Sequence, residues 1–492
     1  MFDIQLRDYQ LETIDALREA IKSGKRRPVV QAPTGAGKTV MAASVVRLAR
    51  ENNGRVIFCV PAISLIDQTV ERFIQNGIPA NEIGVIQADH ELTNPKAQVQ
   101  VASVQTLMRR QLRLFDIAII DECHVTFEFY TKWFAMPEWQ DIPIIGLTAT
   151  PWAKGMGKIW DDLIVCTTTQ KLIELGHLCD FKVFAPSHPD LRGVKTVAGD
   201  YELKGLGEAM DKQPLVADIV STWIEKAEYR PTLCFCVNRL HAKHLQKEFE
   251  AAGIPTAYQD AFTDMTERTE IANKFALGQI KIVCNVGTLT TGIDWDVRCI
   301  ILARPTKSEI LYTQIIGRGL RTAAGKDHCL ILDHSDTTLR LGFVTDIHHD
   351  KLHDGSKNTS TREKPTLLPK ECPKCHYLRP PKTTTCPSCG FKAEAVNKVE
   401  NAAGELLEIT RGKKVAKPTF DTNFMETFYR ELIQYARIQG YKDGWAFYAY
   451  QDKFHEKPQQ FFRKDPLPLQ PATASWIKHR NIAKAKSRAK YA

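Results

Sequence analysis

The 492-residue chain predicts two consecutive doubly wound α/β domains, then a small cysteine-rich module and a helical end. Three observations carry that expectation. Short apolar runs of strand length alternate with helix-period segments, and the alternation occurs twice, before about residue 165 and again from about 211 to 345. A glycine-rich turn, "APTGAGKT" (32–39), follows the first strand-like run and opens a helix-like one. Two C-x-x-C pairs separated by ten residues lie beyond both blocks.

The composition is that of an ordinary globular chain: 43% hydrophobic, 25% charged and 9% aromatic, enough for two or three full cores. No apolar run approaches the roughly 18 residues that would suggest a membrane span. The opening "MFDIQLRDYQ" lacks the basic-then-apolar layout of a secretory leader. Of 13 cysteines, nine are scattered through apolar runs such as "VIFCV" and "TLCFCV", where cysteine acts as a small buried hydrophobe. That distribution suits a reducing compartment and one metal site, not a disulfide framework. The net charge of +9 is mildly basic, and its placement matters more than its sum.

In the first block "RVIFCV" (55–60), "FDIAIID" (115–121) and "IPIIGLT" (142–148) read as buried strands. In the second, "TLCFCV" (232–237), "KIVCNV" (281–286), "CIILA" (299–303) and "CLILD" (329–333) do the same. "RLHAKHLQKEFEAAG" (239–253) has helical apolar spacing and a glycine stop. The expected layout is a first domain at 1–165, a connecting segment at 166–210, a second domain at 211–345 and a polar linker at 346–368. A cysteine module at 369–393, a linker at 394–420 and a helical region with a basic tail at 421–492 complete it.

The turn at 32–39 is built for phosphate. Gly35 and Gly37 free the backbone to aim N–H groups at phosphate oxygens, Lys38 reaches the β- and γ-phosphates, and the Thr39 hydroxyl suits a magnesium shell. Ala32 stands where the general pattern has glycine. Its companion is "IAIIDECH" (117–124), an apolar strand that delivers Asp121 and Glu122 to its carboxyl end. Asp121 suits magnesium, and Glu122 can orient or deprotonate an attacking water.

These two stretches resemble motifs I and II of the superfamily-two helicases of the DExH-box group. Further stretches resemble the family in order: "LRDYQLETI" (6–14), "VPAISLIDQ" (60–68), "ASVQTL" (102–107), "LTATP" (147–151), "TLTTGIDWD" (288–296) and "QIIGRGLR" (314–321). The resemblance covers about residues 3–345 and implies RecA-like domains. It implies that Gln10 contacts adenine, that 60–68 and 102–107 hold the nucleic-acid backbone, and that 147–151 couples hydrolysis to movement. Gly292, Asp294 and Gln314 are then expected at the nucleotide, and Arg318 and Arg321 at its γ-phosphate from the opposite domain. The cofactors implied are ATP and Mg²⁺.

Cys372, Cys375, Cys386 and Cys389 can surround one tetrahedral zinc. The ten-residue loop is shorter than the roughly 15–20 of the commonest spacing, but a compact ribbon accommodates it. A redox dithiol is the rival. Four sulfurs leave no open position, so such a Zn²⁺ is structural. Arg379 and Lys382 in the loop could touch phosphate or simply be solvated. His348, His349 and His353 have irregular spacing and are expected to be solvated linker residues.

Beyond residue 420, "FMETFYRELIQYARIQG" places Phe424, Phe428, Leu432 and Ala436 on one helical face. Trp445, Tyr448 and Tyr450 suit the core of a small helical region, with base stacking as the alternative. The arrangement resembles the tail of phage and prophage members of the same helicase family. From Pro466 onward there is no acidic residue, and Lys478, Arg480, Lys484, Lys486, Arg488 and Lys490 would hold phosphate backbone or merely solubilise.

The expectation is an ATP-dependent 3′–5′ DNA helicase or translocase acting on single-stranded, forked or branched DNA in the cytoplasm of a bacterial or phage-infected cell. The C-terminal region is a candidate surface for a protein partner; no membrane partner is expected. The alternatives are a non-unwinding motor subunit of a DNA-processing or defence complex, an RNA-remodelling helicase, and a zinc-dependent binding protein that uses ATP as a switch.

Overall fold

The computed structural model describes residues 5–87, 90–110, 113–125, 128–290, 294–356, 367–392, 421–442, 444–477 and 480–481. Its first sheet comprises β1 (Pro28–Gln31), β2 (Val56–Val60), β3 (Ile83–Ile86), β4 (Val99–Ser103), β5 (Ile117–Asp121), β6 (Ile144–Thr148) and β7 (Asp162–Val165). All pair in parallel, in the order β3-β4-β2-β5-β6-β1-β7. Helices cover such sheets on both faces, which is why β2 reads as an unbroken apolar run. Val56, Phe58 and Val60 pack into one core with Phe73, while Ile57 and Cys59 pack into another with Trp133 and Trp139.

The second sheet contains β8 (Asp180–Phe184), β11 (Thr232–Phe235), β12 (Thr256–Gln259), β13 (Ile282–Asn285), β14 (Cys299–Leu302) and β15 (His328–Asp333). Its order is β12-β13-β11-β14-β15-β8, again parallel throughout. A small antiparallel hairpin, β9 (Thr196–Val197) and β10 (Asp200–Tyr201), lies between β8 and β11 in sequence. The helix Arg239–Ala251 forms as expected; the Asn238 side chain caps it by accepting from the His241 N–H at 2.9 Å.

Two expectations about connections are corrected. The stretch 166–210 contains β8, the edge strand of the second sheet. "DFKVF" carries Asp180 and Lys182 because an edge strand keeps part of its surface in water, and that polarity hid it. The polar run after Asp346 returns to the first domain. The Gly157 N–H donates to the His353 carbonyl at 2.9 Å, Leu352 packs beside the Trp133 core, and His349 is buried against Trp152 with ring centroids 4.3 Å apart. His349 also bonds Glu309 at 2.9 Å, so it is not a solvated linker residue.

The cysteine module forms β16 (Lys370–Glu371) and β17 (Leu378–Arg379), paired antiparallel. It sits against the end of β8: the Ala185 N–H donates to the His376 carbonyl at 3.0 Å, and Tyr377 meets Phe184 edge-on.

Residues 396–492 form a separate unit. Its helices Thr422–Ile438 and Gly444–Phe454 bury Met425, Phe428, Leu432, Ala446 and Tyr450 together. Phe424, expected on that face, is 48% exposed, because Met425 takes the inward position one residue on. Tyr450 is core, Trp445 packs beside it, and Tyr448 is exposed. Arg480 pairs with Asp452 at 2.6 Å and lies over Trp445, so it is engaged within this unit. Lys478, Lys484, Lys486, Arg488 and Lys490 lie outside the described residues.

Candidate active site and metal centre

β1 ends at Gln31, the chain turns through Gly35 and Gly37, and the helix Lys38–Glu51 begins. Both glycines hold left-handed backbone, φ 87° and 85°. A Cβ on Gly37 would stand 2.4 Å from the Gln10 amide nitrogen, so the turn needs glycine for conformation and for space. Gln10 is buried; it donates to the Ala36 carbonyl at 2.8 Å and accepts from the Arg7 N–H at 3.0 Å. The amide expected at adenine thus braces the phosphate turn.

β5 delivers Asp121 and Glu122 opposite that turn. Glu122 has φ 49°, a strained conformation for a non-glycine residue. Its Oε1 lies 3.5 Å from Lys38 Nζ and its Oε2 3.3 Å from His124 Nδ1. Burial pushes the Asp121 carboxyl up, reinforced by the neighbouring Glu122 charge, to about 6. Burial acts on Glu122 in the same sense, but Lys38, His124 and Arg318 outweigh it and hold that carboxyl down at about 2.

The second domain closes the same cavity. Thr34, Gly35, Gly37, Lys38, Thr39, Asp121 and Glu122 share a pocket of about 480 Å³ with Asp294, Arg318, Arg321 and Thr322. Arg318 belongs to the helix Glu309–Gly319 and is only 6% exposed; burial, then repulsion from Arg321, pushes its guanidinium down to about 10. Gly317 of that helix approaches the phosphate turn so closely that a Cβ would meet Thr34 Oγ1 at 2.8 Å. Arg321 pairs with Asp294, and Asp294 reaches Arg72 of the first domain at 3.7 Å. Gln314 Nε2 meets His124 Nε2 at 3.2 Å, while His124 Nδ1 meets Thr148 Oγ1 at 2.9 Å. Gly292 lies outside the described residues.

Sequence reasoning passed over His124 as a junction between β5, β6 and the second domain, and it passed over Arg72, His177 and Leu178 in the pocket wall. His124 adjoins an acidic pair that already explained the motif. The others carry no local signal.

Cys372 and Cys389 sulfurs are 3.7 Å apart, as are those of Cys375 and Cys386, and all four lie within 4.8 Å of one another. A tetrahedron with Zn–S bonds of about 2.3 Å has edges of about 3.8 Å, so the donor set fits Zn²⁺. Cys234, Cys236 and Cys284 also cluster, fully buried among apolar side chains of the second sheet. Among the described residues no fourth ligand joins them, consistent with cysteines packing as hydrophobes.

Residues 3–153 match the family described as "Type III restriction enzyme, res subunit", and residues 212–323 match "Helicase conserved C-terminal domain". The chain is 32% identical, over 67% of its length, to IRC3 of Saccharomyces cerevisiae, a candidate ATP-dependent helicase by its name, and spans 51% of that protein. It is 29% identical, over 79% of its length, to a 51.5 kDa protein of a Lactococcus phage, of which it spans 83%. It is 24% identical, over 66% of its length, to the ATP-dependent DNA helicase uvsW of Enterobacteria phage T4, of which it spans 67%. Among the described residues no helix is long and apolar enough to cross a membrane.

Proposed function

The chain belongs to the superfamily-two helicases, and from that premise we propose that it is an ATP-driven DNA translocase and helicase moving 3′ to 5′. One observation supports this reading above the rest: the phosphate turn and acidic pair of the first domain share a single cavity with Arg318 and Arg321 of the second. A nucleotide bound there joins the domains. Lys38 neutralises its β- and γ-phosphates, Glu122 orients the attacking water, and Arg318 with Arg321 stabilises charge on the departing phosphoryl group. Thr39 and Asp121 would hold Mg²⁺, which would supply positive charge to offset that of the phosphates. Asp294 completes the nucleotide side, Gln314 reaches it through His124, and Gln10 stiffens the turn from which adenine is read.

Because the finger arginines sit on the opposite domain, hydrolysis and domain closure are one event. The line Glu122–His124–Gln314, with Thr148 at its side, ties that event to the second domain, and the segments expected to hold nucleic acid stand at the carboxyl ends of β2 and β4. There 60–68 and 102–107 lie side by side, tied by the Gln105 amide donating to the Pro61 carbonyl at 2.7 Å. A strand held across those segments advances as the domains open and close. DNA is favoured over RNA because uvsW is named as a DNA helicase. The zinc ribbon, with its four thiolates, is structural and braces the edge strand β8.

The match to a restriction-enzyme subunit family keeps a second reading in view, a motor that pumps duplex DNA for a partner chain. Strand displacement separates the two. A forked duplex with a 3′ tail, incubated with ATP and the protein alone, releases its labelled strand, and a 5′-tailed fork does not. Duplex-stimulated hydrolysis without displacement on either fork favours the pumping motor, and displacement from the 5′ tail reverses the polarity.

A further inference from the structure

The first sheet has a second cavity, away from the phosphate turn. It has a volume of about 480 Å³ and opens over β2, β4 and β3, on the face that carries the Trp133 core. Ile57, Gln100 and Gly84 stand in one row across these three strands. Ile86, Leu107 and Phe115 complete an apolar floor. Arg55 and Phe115 precede β2 and β5, so this cavity reaches the amino ends of strands whose carboxyl ends serve the first site.

Its rim is cationic. Arg110 and Arg113 are exposed at the mouth, and neither has an acidic partner among the described residues. The Arg55 guanidinium lies 5.1 Å above the Phe115 ring, leaving a flat cation beside the apolar floor. The wall also holds a spare acceptor. Gln100 is 2% exposed; its Nε2 donates to the Asn94 carbonyl at 2.7 Å and the Ala97 carbonyl at 3.1 Å. Both amide hydrogens are thus used, and the amide cannot turn over without setting its oxygen against two carbonyls. Its Oε1 is buried and has no hydrogen-bond partner. Gly84 makes room for this group, since a Cβ there would stand 2.9 Å from Oε1. A buried acceptor left unpaired is unfavourable, and a donor on a bound molecule would satisfy it.

Flat apolar floor, planar cation, one acceptor and two exposed guanidiniums at the mouth describe a base and a phosphate. We propose that this cavity is a second nucleotide site, taking a nucleoside monophosphate either free or as one residue of a strand. The base lies on Ile86 and Phe115, its exocyclic amine donates to Gln100 Oε1, and the phosphate meets Arg110 and Arg113. The volume lies within the range of small-molecule pockets. The site does not depend on the helicase reading, because it shares no residue with the first cavity.

The test is calorimetric titration of full-length, zinc-loaded Lys38→Ala protein, in which the lysine of the phosphate turn is gone. The titrants are AMP, adenosine, a short oligodeoxyadenylate and an oligoglutamate peptide. AMP binds one per chain, adenosine binds about tenfold more weakly, and Arg110→Gln/Arg113→Gln weakens AMP by about tenfold or more. Gln100→Met weakens AMP and adenosine alike by several-fold, because the lost acceptor serves the base that both share. Binding of the oligonucleotide but not AMP, with the same arginine dependence, assigns the site to a strand residue; AMP alone assigns it to free nucleotide. Arg110→Gln/Arg113→Gln in the otherwise native chain retains ATP turnover, which reports an intact fold. No binding of either nucleotide form, binding indifferent to the two arginines, or capture of the peptide in their place overturns the proposal.

Discussion

Replacing Arg318 with alanine separates chemistry from folding. Its guanidinium is 6% exposed and lines the cavity that holds Lys38, Asp121 and Glu122. Burial pushes its pKa down to about 10, with Arg321 repelling it further, so holding this cation in its buried position costs stability. Arg318→Ala therefore leaves the melting temperature unchanged or raised. In turnover the side chain acts as a finger, worth roughly 10³–10⁵ in rate, or about 4–7 kcal/mol. Steady-state hydrolysis at saturating nucleic acid falls by that factor, while ATP affinity measured by titration changes only a few-fold, because Lys38 and the turn still bind the phosphates. Arg318→Lys lies between, since an ammonium keeps the charge without the planar fork. A variant retaining turnover within tenfold of wild type would refute the two-domain site, as would a loss that follows ATP affinity alone.

Three further outcomes follow from named contacts. His124→Ala removes bonds to Thr148 and Gln314, each worth about 1 kcal/mol, so stimulation of hydrolysis by nucleic acid drops tenfold or more while basal turnover changes less; equal losses in both would contradict a coupling role. His241 is fully buried with neither ring nitrogen bonded, and burial holds its pKa down at about 4. The unfolded chain takes up that proton near 6.5 and the folded chain only near 4, so stability present above 6.5 is lost as pH falls, about 2 kcal/mol by pH 5; His241→Phe flattens denaturant midpoints between pH 7 and 5, and an unchanged slope would count against it. Metal analysis gives one zinc per chain, and Cys386→Ser/Cys389→Ser gives almost none, with a lower melting temperature because the ribbon no longer braces β8; full stability without zinc would make the cysteines redundant.

The seven strands read from the sequence all formed, because strands buried on both faces must be apolar along their whole length. The site was legible for a related reason. A phosphate turn needs glycine at positive φ, and an acidic pair must stand at a strand's carboxyl end, so Gly37, Lys38, Asp121 and Glu122 betray themselves by type and order. What stayed hidden depends on partners distant in sequence. β8 looked like a connection because its charges face water, and His349 looked solvated because Trp152 and Glu309 become its neighbours only after folding. Arg72 reaches the second domain's part of the site through Asp294, more than 200 positions later. Arg480 read as part of a phosphate-holding tail because Asp452 lies on another helix.

Turnover at Glu122 is the point on which the account stands. Steady-state ATP hydrolysis should be measured without nucleic acid and with single-stranded DNA, duplex, forked DNA and RNA, using the wild type and Glu122→Gln. Single-stranded or forked DNA is expected to stimulate turnover strongly and RNA more weakly, while the variant binds ATP without turning it over. Hydrolysis indifferent to every polymer, or surviving intact in Glu122→Gln, would contradict the account.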